Sequence, residues 1–188
     1  MVMFGERGAS MNDLILEEAA PWHAQRAMEY RQEYLERGET HINGSGGLLR
    51  FDRYDAWLAS IEAKKHLVPS ALETPSNTYF SIRPEDGGIL GTIQLRHHLT
   101  EELMRDGGNI GYGIRPSERG KGYGTRQLML VLELARALGL PRVMISCVQD
   151  NFASAKVAMR CGGVWGGNGM DEERNQVTDI YWITLQQG

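Results

Sequence analysis

Between Arg119 and Thr125 the chain reads Arg119-Gly120-Lys121-Gly122-Tyr123-Gly124-Thr125, an alternation suited to holding phosphate. Glycines at every second position let successive backbone N–H groups turn toward one point. A helix starting directly afterwards adds a partial positive charge of roughly half an electron at the same place. Arg119 and Lys121 contribute two full charges, so a diphosphate suits this loop better than a lone carboxylate. Two familiar phosphate motifs are excluded by spacing. A nucleotide P-loop needs Ser or Thr after Lys121 and glycine at Arg115, and here Gly122 and Arg115 occupy those places. A dinucleotide fingerprint starting at Gly120 needs its third glycine at Thr125. A phosphotransferase is disfavoured by the same missing hydroxyl.

The loop has to be carried by a strand before it and a helix after it. Asn109 to Arg115 reads as a strand, followed by Pro116-Ser117-Glu118 and then the glycines. From Thr125 to Leu138 the apolar residues Leu128, Val131, Leu132, Ala135 and Leu138 recur at helical spacing, Gly139 suits the cap, and Pro141 forbids continuation. Val143 to Val148 reads as a buried strand, so strand, loop, helix and strand form a crossover unit with its two strands parallel. A further helix is capped by Asp150 or Asn151 and stopped by Gly162-Gly163, and Asp179 to Leu185 closes the chain as a strand. Upstream lie a short strand at Leu14 to Leu16 and a helix from Pro21 to about Arg37. A glycine-rich connection from Glu39 to Gly47 and a helix over about Asp52 to Lys65 follow. A hairpin of Asn77 to Arg83 with Ile89 to His97 turns at Asp86-Gly87. These elements predict a mixed α/β domain (α+β mixed sheet), antiparallel in its early strands, with a parallel pair at the glycine loop.

The run IGYGIRPSERGKGYGTRQL from Ile110 resembles the strand, Arg-x-x-Gly-x-Gly loop and helix of the GNAT superfamily of N-acetyltransferases, and the resemblance extends over about Ile110 to Val164. It implies the GNAT-like acyl-CoA N-acyltransferase fold and acetyl-CoA as co-substrate. Arg119, Gly120, Lys121, Gly122, Tyr123, Gly124 and Thr125 would then hold the pyrophosphate. The backbone of Ile114 and Arg115 would pair with the pantetheine arm. The segment DNFASAKVAMRCGG is similar to the second CoA segment of that family, which puts Asn151 and Ser154 toward the cofactor. The pieces RHHL and YWITL narrow the likeness to a bacterial branch described only as predicted acetyltransferases. Relatives often pair, so a homodimer is an expectation of the resemblance.

Such chemistry poses its own demands. An alkyl amine of pKa near 10.4 is neutral about once in a few thousand molecules at pH 7, a handicap of roughly 4 to 5 kcal/mol, so a base or water relay helps. The resemblance also implies a backbone N–H near Ile114 as donor to the developing oxyanion, because neighbouring strands diverge there in the family. Many family members draw an acid from a tyrosine seven residues after the asparagine, but counting from Asn151 reaches Ala158 and then Met159. Cys147, Ser154 and Tyr123 are the conceivable substitutes. His97 and His98 end a strand and point to opposite faces, so one of them could relay the amine's proton, and His97 is the candidate. Glu29, Glu33, Glu36, Asp52 and Asp55 could hold a cationic acceptor, although such spacing also describes a solvated helix face. Asp171-Glu172-Glu173 reads as a charged turn.

Composition sets the outer bounds. With 188 residues, 41% hydrophobic and 23% charged, the chain has ordinary globular usage and the size of one domain. A single domain over residues 13–188 is expected after a flexible lead over residues 1–12. A net charge of -4 argues against nucleic-acid binding. Cys147 and Cys161 are the only cysteines and fit neither a disulfide framework nor a metal site. No apolar run is long enough to span a membrane, so no membrane partner and a reducing cytoplasm are expected. The predicted activity is transfer of acetyl from acetyl-CoA to a primary amine of a small molecule or peptide. The alternative is a non-catalytic acyl-CoA sensor, suggested by the missing tyrosine.

Overall fold

Strand β1 (Ile15–Glu18) opens a four-stranded antiparallel sheet in the order β1-β2-β3-β4, with β2 (Ser76–Arg83), β3 (Gly88–Arg96) and β4 (Ile110–Ile114). The computed structural model describes residues 14–172 and 174–185. The lead expected over residues 1–12 and residue Glu173 lie outside that range. The β2–β3 hairpin turns where expected, with the Gly87 N–H bonded to the Arg83 carbonyl at 2.8 Å. Its ladder slips by one residue beside Ser81 and Ile82. The extra residue swaps which face each β3 side chain occupies. Ile89 therefore packs with Phe80 and Ile82 on one face, whereas Ile93 and Leu95 pack on the other.

The first face is covered by α1 (Ala24–Glu36) and α2 (Tyr54–Lys65), which bury Tyr30, Tyr34, Trp57 and Ile61 against it. The helix expected from Pro21 starts with a tight turn over Pro21–His23 before α1 proper. The opposite face is covered by α4 (Tyr123–Ala137), preceded in the chain by the short helix α3 (Glu101–Arg105). Leu128, Val131, Leu132 and Ala135 of α4 are 0 to 4% exposed, and full burial of each Leu or Val contributes about 1.5–3 kcal/mol. The end of α4 is a Schellman motif, with Gly139 N–H bonded to Arg136 and Leu140 N–H bonded to the Ala135 carbonyl. Buried Ser81 Oγ donates to Gln127 Oε1 at 2.7 Å, fixing α4 on the sheet by a polar contact as well.

A second sheet has the order β5-β7-β6, formed by β5 (Arg142–Val148), β6 (Val164–Asp171) and β7 (Gln176–Thr184), all antiparallel. Helix α5 (Phe152–Arg160) joins β5 to β6. Its cap is Asn151 rather than Asp150, with Oδ1 accepting from the Ser154 N–H at 3.1 Å. The mixed α/β class holds, but the expected parallel pair forms no ladder: every strand pairing among the described residues is antiparallel, as is the isolated bridge of Gly108 with Ile145. Asn109 binds Met144 twice, N–H to carbonyl at 2.8 Å and Oδ1 from N–H at 2.9 Å. Beyond that point β4 and β5 belong to different sheets. Tyr112 of β4 reaches instead to α5, its Oη donating to the Ser154 carbonyl at 3.0 Å. A side chain thus spans the place where a backbone ladder would run. No helix among the described residues is long and apolar enough to cross a membrane.

Candidate active site

The gap between β4 and β5 is a groove of about 860 Å³ lined by both strands, the glycine loop and the first turns of α4 and α5. Gly120 and Gly122 have φ of 78° and 91°, a left-handed backbone that disfavours side chains. Gly122 caps α4, and among the described residues no side chain caps the helix's first N–H groups. Those donors remain for an anion. Arg119 stacks over the Tyr34 ring at 5.5 Å, with Nε donating to the Ile114 carbonyl at 3.1 Å and Nη2 to Glu39 at 2.8 Å. Lys121 Nζ donates to Glu118 at 2.8 Å. Both loop cations thus rest on carboxylates that also line the groove.

Most of the residues expected at a cofactor site meet here. Ile114, Arg119, Gly120, Gly122, Tyr123, Gly124, Thr125, Asn151 and Ser154 all line the groove. Lys121 is held beside it by Glu118. Arg115 departs from expectation, because its N–H is spent on the Leu90 carbonyl at 2.8 Å and its guanidinium pairs with Glu33. The Ile114 carbonyl is likewise occupied, by Tyr34 Oη at 2.7 Å as well as by Arg119.

Of the conceivable acid substitutes, Cys147 and Ser154 come together and Tyr112, which sequence reasoning passed over, joins them. Tyr112 Oη is 2.9 Å from Ser154 Oγ. Burial pushes the Tyr112 phenol above its usual range, with the Ser154 hydrogen bond opposing. Burial also raises the Cys147 thiol, and its hydrogen bond with Ser154 works the other way. All three therefore stay protonated near neutral pH. Tyr123 lines the groove at the loop end. Ala158 is fully buried in the core and Met159 faces outward.

His97 is not among the groove-lining residues. Its Nε2 lies 2.7 Å from Asn77 Oδ1, its N–H goes to the Pro75 carbonyl, and burial lowers its pKa, with His98 adding to the effect. His98 is bound to Ser70 and Thr74. Both histidines serve the segment leading into β2. The acidic residues of α1 and α2 are also elsewhere: Glu33 holds Arg115 and the Ser117 N–H, Glu36 accepts from Gln32, and Asp55 pairs with Arg53. The carboxylates that do line the groove are Glu39, Glu102, Asp106, Glu118, Asp171 and Glu172. Asp171, read as part of a turn, is buried and bonded to Arg174 at 3.0 Å.

Residues 14–164 match the family model described as acetyltransferase (GNAT) domain. An uncharacterized N-acetyltransferase, YycN of Bacillus subtilis (strain 168), is 26% identical over 108 residues, covering 57% of this chain and 69% of its own. Among solved structures, a putative acetyltransferase, yncA of Salmonella typhimurium with its cofactor acetyl-CoA, superposes with a TM-score of 0.63 at 18% identity, covering 94% of this chain and 96% of that one. The ribosomal-protein-S5-alanine acetyltransferase of Vibrio fischeri gives 0.69 at 16% identity, covering 93% and 94%.

Proposed function

The chain belongs to the acetyltransferase (GNAT) domain family and is an N-acetyltransferase, and from that premise we propose that it moves acetyl from acetyl-CoA directly to a primary amine of a small molecule or peptide, with both substrates in the groove between β4 and β5. The observation that carries this reading is the continuity of one groove from the uncapped start of α4 to the Tyr112, Ser154 and Cys147 cluster. The pyrophosphate sits at the α4 N-terminus, where backbone N–H groups and the helix dipole favour anions. Arg119 and Lys121 exchange Glu39 and Glu118 for phosphate oxygens, a swap between like-charged partners. Backbone N–H groups of β4 at the opening of the strands face the developing oxyanion. Ser154, hydrogen-bonded to Tyr112, supplies a proton to the departing thiolate, which at a pKa of about 8.5 needs only modest help.

The test is mass-spectrometric detection of acetylated product after incubation with acetyl-CoA and a pooled panel of polyamines, aminoglycosides, amino acids and peptides. Peptide amines belong in the panel because one structural relative is named for a ribosomal-protein alanine. Acetylated product is expected. In parallel, Gly122→Glu places a carboxylate at the phosphate position and abolishes acetyl-CoA binding by calorimetry, with the circular dichroism spectrum unchanged. Wild-type affinity in that variant would sink the assignment of the loop.

A further inference from the structure

Asp106 caps the C-terminal end of α3 and lines the groove. A carboxylate gains nothing there from the helix, whose C-terminal end disfavours negative charge. Its Oδ1 accepts from Ser146 Oγ of β5 at 2.6 Å, and among the described residues nothing is hydrogen-bonded to Oδ2. The backbone just after it is clamped by Arg96, whose Nη1 donates to the Gly107 carbonyl at 3.1 Å and the Gly108 carbonyl at 2.9 Å. The guanidinium is also close enough for Asp106 to support its charge against burial. Asn109 then binds Met144, two residues before Ser146 on β5. Carboxylate and hydroxyl are thereby held in one rigid frame across the junction of the two sheets.

That frame lies along the groove, which Asp106 and Ser146 line together with Cys147 and Ser154. Between Asp106 and the glycine loop runs β4, whose five residues span about 17 Å of extended chain. Asp106 therefore lines the groove at the end remote from the phosphate cradle, and among the described residues one of its oxygens is unshared.

We propose that Asp106 is the catalytic residue that meets the acceptor amine and takes its proton, and that Ser146 is the positioning residue that aims it. This rests on the N-acetyltransferase reading above. The bound ammonium first loses one proton to water. The neutral nitrogen's lone pair then forms the C–N bond at the thioester carbonyl carbon, as the carbonyl π pair moves onto oxygen. The nitrogen, now positive and far more acidic than a free ammonium, passes one proton to Asp106 Oδ2. The oxygen pair re-forms the carbonyl as the C–S bond breaks, and the thiolate leaves with that bond's electrons and is protonated. Asp106 returns its proton to solvent, leaving one amide and one thiol.

The experiment uses the full chain with acetyl-CoA and whichever panel amine wild type acetylates fastest. Asp106→Asn preserves shape and the acceptor for Ser146, and its kcat/KM for the amine is expected to fall about 100-fold or more. Acetyl-CoA affinity stays at the wild-type value, and kinetics are read well below the variant's Tm, which falls because buried Arg96 loses the neighbouring charge. Ser146→Ala is expected to lose about 10-fold, mostly in kcat, and Ser146→Thr to regain it because the hydroxyl returns. Asp106→Asn within threefold of wild type overturns the proposal, as does a loss of acetyl-CoA affinity in step with activity. Wild type that binds acetyl-CoA and acetylates no panel amine overturns it too. Wild type that binds no acetyl-CoA instead removes the underlying reading, which separates the two failures.

Discussion

At position 158 a buried methyl group stands where the family resemblance implies a tyrosine acid, and the phenol that reaches Ser154 in the groove comes from Tyr112 on β4. Because burial pushes that phenol upward, Tyr112 stays protonated and polarises Ser154 without titrating between pH 6 and 9. Tyr112→Phe removes one hydrogen-bond partner of Ser154 while keeping the ring that packs in the core. We expect kcat to fall about 10- to 100-fold with acetyl-CoA affinity within threefold, read by steady-state kinetics and calorimetry. Equal kcat in the two proteins would leave Ser154 acting without Tyr112. The glycine loop and the helix start it feeds were legible in the sequence because their signals are local: glycine spacing, two cations and the helix that follows. Tyr112 and Asp106 were not, since their roles depend on which two strand edges meet and then part. His97 was misassigned for a related reason. Alternation along a strand tells which face a side chain takes, but the face on which His97 lies leads to Asn77 and Pro75 rather than to the groove.

Elements with strong period or punctuation were read within a residue or two. The helix expected at Thr125 to Leu138 is α4 at Tyr123–Ala137, and the strand expected at Val143 is β5 from Arg142. What the sequence hid were β6 and α3. The Gly166-Gly167-Asn168-Gly169 stretch of β6 reads as loop because glycine has low strand preference. Gly166 and Gly169 answer to neighbours instead. A Cβ at Gly166 would meet the Trp182 ring at 2.5 Å, and one at Gly169 would meet the Arg105 carbonyl oxygen at 2.2 Å. Helix α3 is too short for periodicity and shows itself only through Thr100, whose Oγ1 accepts from the Leu103 N–H at 3.2 Å. The β6–α3 contact matters because α3 ends at Asp106. Gly169→Ala forces the two backbones apart, so we expect a loss of about 1–3 kcal/mol in urea denaturation and a drop in kcat/KM beyond what the remaining folded fraction accounts for. Unchanged stability would mean that β6 shifts freely and does not support α3.

Among the described residues the two sheets are joined by backbone hydrogen bonding only at the Gly108–Asn109 junction with β5, yet they share one core. Ile93, Leu95 and Ile110 of the first sheet pack in the same cluster as Val143, Ile145, Tyr181 and Ile183 of the second, with α4 and α5 closing over both. The first sheet is also the floor of the other cluster, through Phe80 and Ile82 beneath Trp57. Opening either sheet therefore exposes apolar surface belonging to the other, which is the physical content of a single domain. We propose that residues 13–188 fold as one unit, and expect one unfolding transition. Tryptophan fluorescence, which reports Trp22 and Trp57 beside the first sheet and Trp165 and Trp182 in the second, should coincide with far-ultraviolet circular dichroism across a urea titration. Acetyl-CoA held as proposed would bridge both sheets at the groove, so at 100 times its Kd it should raise the whole transition by about 2.7 kcal/mol, and Gly122→Glu should erase that gain. Two separated transitions, or a ligand effect confined to one probe, would show instead that the β5-β7-β6 sheet folds independently and that the groove lies between two units.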